Sequence, residues 1–433
     1  MRHFTFFYLQ ISLLLFNINL VAQPKTDLFL KDLLLANDKR ILQDVITHKD
    51  SFRVQIIYTQ IDRDKKNKPS FRNFYFNVDT NLYFNPASTV KLPLALLALE
   101  KLNEIRIRGV NKYTALQVDS NYYWQTRDLR DTSSQSGFPS IAHYIKKAFL
   151  VSENDPYNRL YQFVGQQTIH RKLHAKGYKG TRLTRQFLGL SYDQNRHTNS
   201  FRFIRKEGTT IYAQPPAYNT DSFYFGKIIK MGRAHYDLND SLVHKPIDFT
   251  KVNNLPLEEL QLMLQSVMFP NSVPAKQRFN LKKDDYKFLR QYLSQYPSET
   301  NYPKYDANEF YDSYVKDYFN EKNKTIPSYI RVFNKVGWAY GFKIDASYVV
   351  DFKNEIEYML SSVIYVNSDG ILNDDKYEYE TIGIPFMNQL GQTIYQHELE
   401  RERRFKPNLK HFKVNYEKRD LEDTRTEIKK VDN

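Results

Sequence analysis

Phe84-Asn85-Pro86-Ala87-Ser88-Thr89-Val90-Lys91-Leu92 is the stretch on which the reading of this chain turns. Asn85-Pro86-Ala87 introduces a helix, and Leu92 to Leu99 continue it without a polar residue. Ser88 and Lys91 lie one helical turn apart, so both fall on one face. A serine hydroxyl is a weak nucleophile until a base takes its proton. A lysine can be that base only when burial and nearby positive potential lower its pKa. The apolar run after Lys91 would supply the burial. By itself, Ser-x-x-Lys equally fits an N-capping serine followed by a solvated lysine.

Two further triplets lie downstream. Ser152-Glu153-Asn154 sits between two helical segments, where it can hold a hydroxyl and an amide toward a cleft or simply cap the helix that follows. Lys335-Val336-Gly337 ends a β-rich run and leads into Trp338-Ala339-Tyr340-Gly341. Gly337 on a strand lets another chain approach the backbone closely, and Lys335 offers positive charge to an anionic substrate; a hairpin edge with a turn glycine is the plainer alternative.

Between and around these triplets the signals alternate in blocks. Asp27–Thr47 has apolar residues at helical spacing and predicts one amphipathic helix. Phe52–Ile61 and Phe71–Val78 flank a charged turn and predict a hairpin. Pro139–Leu150, Asp155–Val164, Gln166–Ala175, Leu257–Met268 and Asp284–Leu293 read as helices. Tyr329–Asn334, Phe342–Val350 and Ile356–Val366 read as an antiparallel meander, followed by a helix over Pro385–Glu400. The expected fold class is α/β of the α+β kind: an antiparallel sheet flanked by N- and C-terminal helices, plus an all-helical lobe. The sheet lobe would comprise about 25–85 and 326–404, and the helical lobe about 86–325, with an insertion around 200–325 that is irregular over its first part. Residues 405–433 form a tail dense in both charges, expected to be exposed.

Ser-x-x-Lys at a helix start, Ser-x-Asn between helices and Lys-x-Gly on a late strand, in that order, resemble the motif set of the serine β-lactamase and penicillin-binding protein superfamily, most closely the class A β-lactamases. The resemblance spans about Asp27–Arg404 and implies a β-lactamase/transpeptidase-like fold. It implies that Ser88 forms an acyl-enzyme, that Lys91 accepts its proton, and that Ser152 passes a proton to the leaving nitrogen with Lys335 beside it. It further implies that Asn154 and Gly337 contact substrate, and that the backbone amides of Ser88 and Trp338 form an oxyanion hole. Small-molecule β-lactams or peptidoglycan stem peptides would be the partners, with no cofactor. A D,D-peptidase-type hydrolase and a non-catalytic penicillin-binding envelope sensor are the alternatives.

Three positions depart from the family pattern. Glu153 replaces an Asp, and Val336 replaces a hydroxyl residue that would contact a substrate carboxylate. The loop that carries a deacylating Glu in class A enzymes corresponds to Gly180–Asn195, where Asp193 is the sole acid. Acylation is therefore better supported than release.

Composition narrows the class. The chain has 433 residues, a formal net charge of +14, 33 Tyr and no Cys. Its basic residues are scattered rather than clustered, so no nucleic-acid partner is expected. Without cysteine there is neither a disulfide framework nor a lipid-modified Cys anchor. Arg2-His3, an uncharged run from Phe4 to Ala22 and then Gln23-Pro24-Lys25 have the layout of a signal peptide over residues 1–22. An exported, periplasmic or cell-envelope location is expected, with membrane association only if that segment is retained. Tyr122, Tyr123 and Trp124 read as core packing, and the resemblance implies an aromatic wall beside Ser88 as the other use. His170 and His174 have a zinc-compatible spacing, but no Glu accompanies them. They read as a surface pair, and no metal site is expected.

Overall fold

Phe342–Asp351 is buried at all ten positions and Ile356–Tyr365 at nine of ten, so these strands are covered on both faces. That coverage extends to the polar residues of the first of them, Lys343, Asp345, Ser347 and Asp351, all of which are buried. The computed structural model describes residues 23–321, 325–420 and 422–431, and the expected signal peptide lies outside them.

In chain order, α1 (Leu28–Leu35) and α2 (Arg40–Thr47) precede the hairpin β1 (Gln55–Arg63) and β2 (Pro69–Phe76). A single turn, Ala87–Val90, runs into α3 (Lys91–Glu104), and β3 (Leu116–Asp119), α4 (Ile141–Leu150), α5 (Asn154–Val164) and α6 (Gln166–Lys176) follow. Next come β4 (Ser200–Ile204), β5 (Thr210–Gln214) and four short strands, β6 (Lys230–Met231), β7 (Ala234–Tyr236), β8 (Leu242–Val243) and β9 (Ile247–Asp248). Helices α7 (Leu257–Met268) and α8 (Lys283–Ser294) lead to the meander β10 (Ile330–Ala339), β11 (Phe342–Asp351) and β12 (Ile356–Tyr365). The short β13 (Ile371–Leu372) precedes α9 (Ile384–Glu400).

The five-stranded sheet has the order β10-β11-β12-β1-β2, antiparallel throughout, which joins the two ends of the chain into one layer. Leu30, Leu34, Leu42, Val45, Phe386, Leu390 and Ile394 from the terminal helices pack on one face, against Ile56, Tyr58, Val332 and Leu360. The other face meets α7 and α8, through Met263, Val267, Leu289 and Leu293. Burying each such side chain contributes about 1.5–3 kcal/mol, so the two-sided sheet is the main stabilising feature.

Three expectations are corrected. The first amphipathic segment is two helices rather than one, because Asn37 interrupts it: its side chain donates to Leu34 O at 2.7 Å and accepts from Lys39 N at 2.8 Å. The lobe over 86–325 is not all-helical, since β3, β4 and β5 form a sheet of their own, with Phe201 and Phe203 buried. The tail is not loose. Leu409 and Phe412 enter the main core, Tyr416 meets Ser294 at 2.7 Å, and Ile428 bridges Tyr305. Its apolar residues have no regular spacing, so charge dominated the reading of that segment.

Helix α9 also holds the segment Ser313–Asn320 in place. A Cβ at Gly391 would lie 2.4 Å from Tyr318 O and 2.9 Å from its Cα, while the Tyr318 hydroxyl reaches Asp345 O at 3.1 Å and Ser362 Oγ at 2.8 Å. Gly391→Ala should therefore destabilise the protein by about 1–3 kcal/mol through overpacking. Thermal denaturation checks this, and an unchanged melting temperature would contradict the packing.

Candidate active site

The turn before α3 is unusually constrained. Ala87 has φ 44°, a conformation that a side chain disfavours, and it is held by Asn85 Oδ1, which accepts from Ala87 N at 2.9 Å. Thr89 donates to Pro86 O through both its amide, at 3.0 Å, and its hydroxyl, at 2.5 Å. Ser152, at the turn between α4 and α5, has φ 66°. Strain of this kind costs on the order of 1–3 kcal/mol per residue and persists where surrounding contacts fix it.

Lys91 connects the two turns. Its Nζ lies 2.8 Å from Ser88 Oγ, 3.2 Å from Ser152 Oγ and 2.9 Å from Asn154 Oδ1, and also donates to Ser152 O. Lys335 Nζ reaches Ser152 Oγ from the other side at 2.9 Å and Val336 O at 2.8 Å. Lys91 and Lys335 are 0% and 1% exposed, so neither charge is solvated. Burial and the neighbouring Lys335 push the Lys91 pKa well below its usual value. Burial lowers Lys335 to about 7, against the pull of Asp345.

Gly337 fits its place closely. A Cβ there would lie 2.9 Å from Ser88 N and 3.0 Å from Pro86 O, so only glycine lets β10 run this near the Ser88 turn. Strand β10 is the free edge of the sheet, and Trp338 pairs with Lys343 on β11. Ser88, Asn154 and Trp338 open on one cavity of about 330 Å³, shared with Asn85, Arg185, Phe187, Asn253 and Tyr340. All seven residues expected at the site are thus in or directly around it. Ser152 does not cap α5: Glu153 takes the N-cap position, without a side-chain cap bond.

Other groups were not legible in the sequence. Glu153 points away from Ser88, accepting from Tyr305 Oη at 2.6 Å and pairing with Lys147 at 3.1 Å. Buried Lys316 donates to Leu293 O, Val332 O and Asn334 Oδ1 at 2.8, 3.0 and 2.8 Å, and burial lowers its pKa to about 7. Asn334 donates to Asp345, whose carboxyl is raised to about 7 by burial and by Asp317. Asp317 in turn pairs with Lys343 at 3.0 Å. Tyr305, Lys316 and Asp317 all come from the stretch read as an insertion, which therefore builds the wall behind Ser152 and Lys335. Isolated residues in an irregular run carry no periodic signal that could have revealed them.

The segment 180–195 presents no carboxylate to Ser88. Asp193 is turned to Tyr218 Oη, 2.9 Å away, and does not line the cavity. Phe187 faces Lys91 instead, with its ring centroid 5.3 Å from Nζ and its amide donating to Asn158 Oδ1 at 2.8 Å. Tyr122 and Trp124 stack at 4.7 Å beside His197, Tyr123 is 92% exposed, and none of the three lines the cavity. They are neither core nor wall. His170 is buried rather than on the surface: Nδ1 bonds Gln166 O at 2.8 Å and Nε2 accepts from Leu183 N at 3.0 Å. No group of three potential metal ligands occurs among the described residues.

The arrangement would suit a serine nucleophile with a lysine beside it as base. Residues 38–213, spanning both serine turns, match the model of the β-lactamase enzyme family. That stretch, less than half of the chain, is similar to this family. Solved structures similar to it include a β-lactamase from Sphaerobacter thermophilus, at 12% identity over 82% of this chain and 94% of that one, with a TM-score of 0.45. One from Xanthomonas campestris has 12% identity, coverage of 84% and 98%, and a TM-score of 0.46. A class A β-lactamase from Clostridium kluyveri has 13% identity, coverage of 81% and 95%, and a TM-score of 0.43. No curated protein sequence matches the chain.

The pKa shifts give a pH prediction. Lys91 must be neutral to accept a proton, so acylation of Ser88 rises as pH climbs through its lowered pKa. Lys335 is charged only below about 7, so its support of Ser152 fades above that pH. The rate at which an activated ester acylates Ser88 should be bell-shaped, with the alkaline limb near pH 7. Lys335→Gln should remove that limb and slow acylation on the order of 10²-fold. A profile unchanged by the substitution would show that Lys335 does not govern it.

Proposed function

We propose that this protein is an exported acyl-serine hydrolase of class A β-lactamase type, which opens β-lactams or related amides through a Ser88 acyl-enzyme and releases the product slowly. The observation that carries the reading is the buried Lys91 amine, bonded to both Ser88 and Ser152 at the head of one cavity. Ser88 Oγ attacks the carbonyl carbon while Lys91 Nζ takes its proton. The oxyanion lies toward the backbone amides of Ser88 and Trp338. When the C–N bond breaks, Ser152 gives its proton to the leaving nitrogen and regains one from Lys91, which ends neutral. Lys335, donating to Ser152 Oγ, orients that hydroxyl. Export is inferred from the charge and apolar pattern of residues 1–22.

Phe187 bears on the second half of the cycle. An aromatic ring beside Lys91 offers no base to a water molecule, so the acyl group should persist. That favours, as a second reading, a penicillin-binding protein that acylates once per activation event, whether peptidase or sensor.

A labelled penicillin should tag the wild-type chain one-to-one and leave Ser88→Ala untagged. Absence of label on both would refute the acyl-serine mechanism. With a chromogenic cephalosporin, the wild type should give a stoichiometric burst followed by slow turnover. Phe187→Glu, which puts a carboxylate beside Lys91, should raise that turnover roughly tenfold or more. Rapid wild-type turnover would show that another group activates water.

A further inference from the structure

The wall of the Ser88 cavity contains one charged side chain among its described residues, Arg185. Its backbone is fixed from three directions. Arg185 N donates to Asn253 Oδ1 at 3.0 Å, and its carbonyl accepts from Tyr157 Oη at 2.9 Å and from Asn253 Nδ2 at 3.3 Å. The guanidinium has no such partner. Among the described arginines that are at least half-buried, Arg185 alone makes no side-chain hydrogen bond, ion pair or ring contact; four exposed ones also make none. By contrast, Arg182 on the same segment donates to Thr250 O at 3.1 Å and covers the Phe225 ring.

An arginine is charged at every relevant pH, and its planar fork suits a carboxylate. The remaining cavity-lining residues, including Phe187, Leu188, Val252 and Tyr340, offer it no counter-charge. Strand β10 contributes Trp338 and Ala339 to the opposite wall and no charged side chain. Positive charge accessible to a ligand is therefore concentrated on the 185–189 side, away from β10.

We propose that Arg185 is a specificity-determining residue that binds a carboxylate on the acyl side of the substrate, so that the preferred substrates are amides or lactams with an anionic acyl arm. The assignment rests on the cavity being the one in which Ser88 is acylated, and deepens that reading. A fixed backbone leaves only the arginine side chain to be ordered on binding. A charge-assisted, two-pronged contact adds both affinity and orientation.

Benzylpenicillin and carbenicillin form a matched pair of probes, because the second differs by a carboxylate on the acyl side chain. Two measurements are made on the full chain: the second-order rate of Ser88 acylation, and the Kd for each compound in Ser88→Ala. Wild type should favour carbenicillin about tenfold in acylation, and Ser88→Ala should show the same preference in Kd. Arg185→Gln should bring both ratios to about one, and Arg185→Lys should retain part of the preference. A ratio near one in the parent proteins, or one that Arg185→Gln leaves unchanged, would overturn the assignment even if acylation is fast. A preference in Kd without any acylation would instead uphold Arg185 as the anion site and reject Ser88 as the acylated residue.

Discussion

Everything at this site depends on removing two lysines from water on either side of one serine hydroxyl. Isolated buried ammonium groups are expensive, and the protein meets that cost by letting their proton affinities fall. Lys91 becomes a base that can accept from Ser88, whereas Lys335 remains close enough to neutrality to be charged in part and to orient Ser152. Mutual repulsion between the two reinforces the effect on Lys91.

Keeping those groups together requires three chain segments that are distant in sequence. The Ser88 turn is pinned by Asn85 and Thr89, the Ser152 turn lies at the junction of α4 and α5, and Lys335 projects from the edge strand β10. Gly337 permits the strand to approach, and Lys316, Asn334, Asp345 and the Asp317–Lys343 pair build a polar layer behind it. In a low-dielectric setting such a layer stabilises only when its members are satisfied. Lys316 and Asn334 make several hydrogen bonds each, whereas among the described residues the Asp317 carboxylate has only its ion pair with Lys343. Gly391 and Tyr318 link this layer to the C-terminal helix, so the site is tied to the sheet's far face.

The segment 180–195 gives the cavity its individual character. It places an aromatic ring beside the lysine base and an unengaged guanidinium in the wall, with its one acid directed elsewhere. These features bear on which molecules enter and how long they stay attached, rather than on whether Ser88 can react.

The sequence by itself determined the sheet strands, most helices and the three polar triplets, because each is a local signal: periodicity, turn chemistry or short spacing. Ser88, Lys91, Ser152, Asn154, Lys335, Gly337 and Trp338 are named from the resemblance of these triplets, in their order along the chain, to the motif set of the serine β-lactamase and penicillin-binding protein superfamily. Only the tertiary structure decided that Ser152 turns to the two lysines instead of capping α5, that His170 is a core residue, and that the charged tail packs down through Phe412. It also decided that Phe187 and Arg185, unremarkable in sequence, face Lys91 and the cavity. The physical reason is the same in each case. Local spacing fixes which face of an element a residue occupies, but desolvation, charge coupling and the absence of a partner depend on segments that only folding brings near.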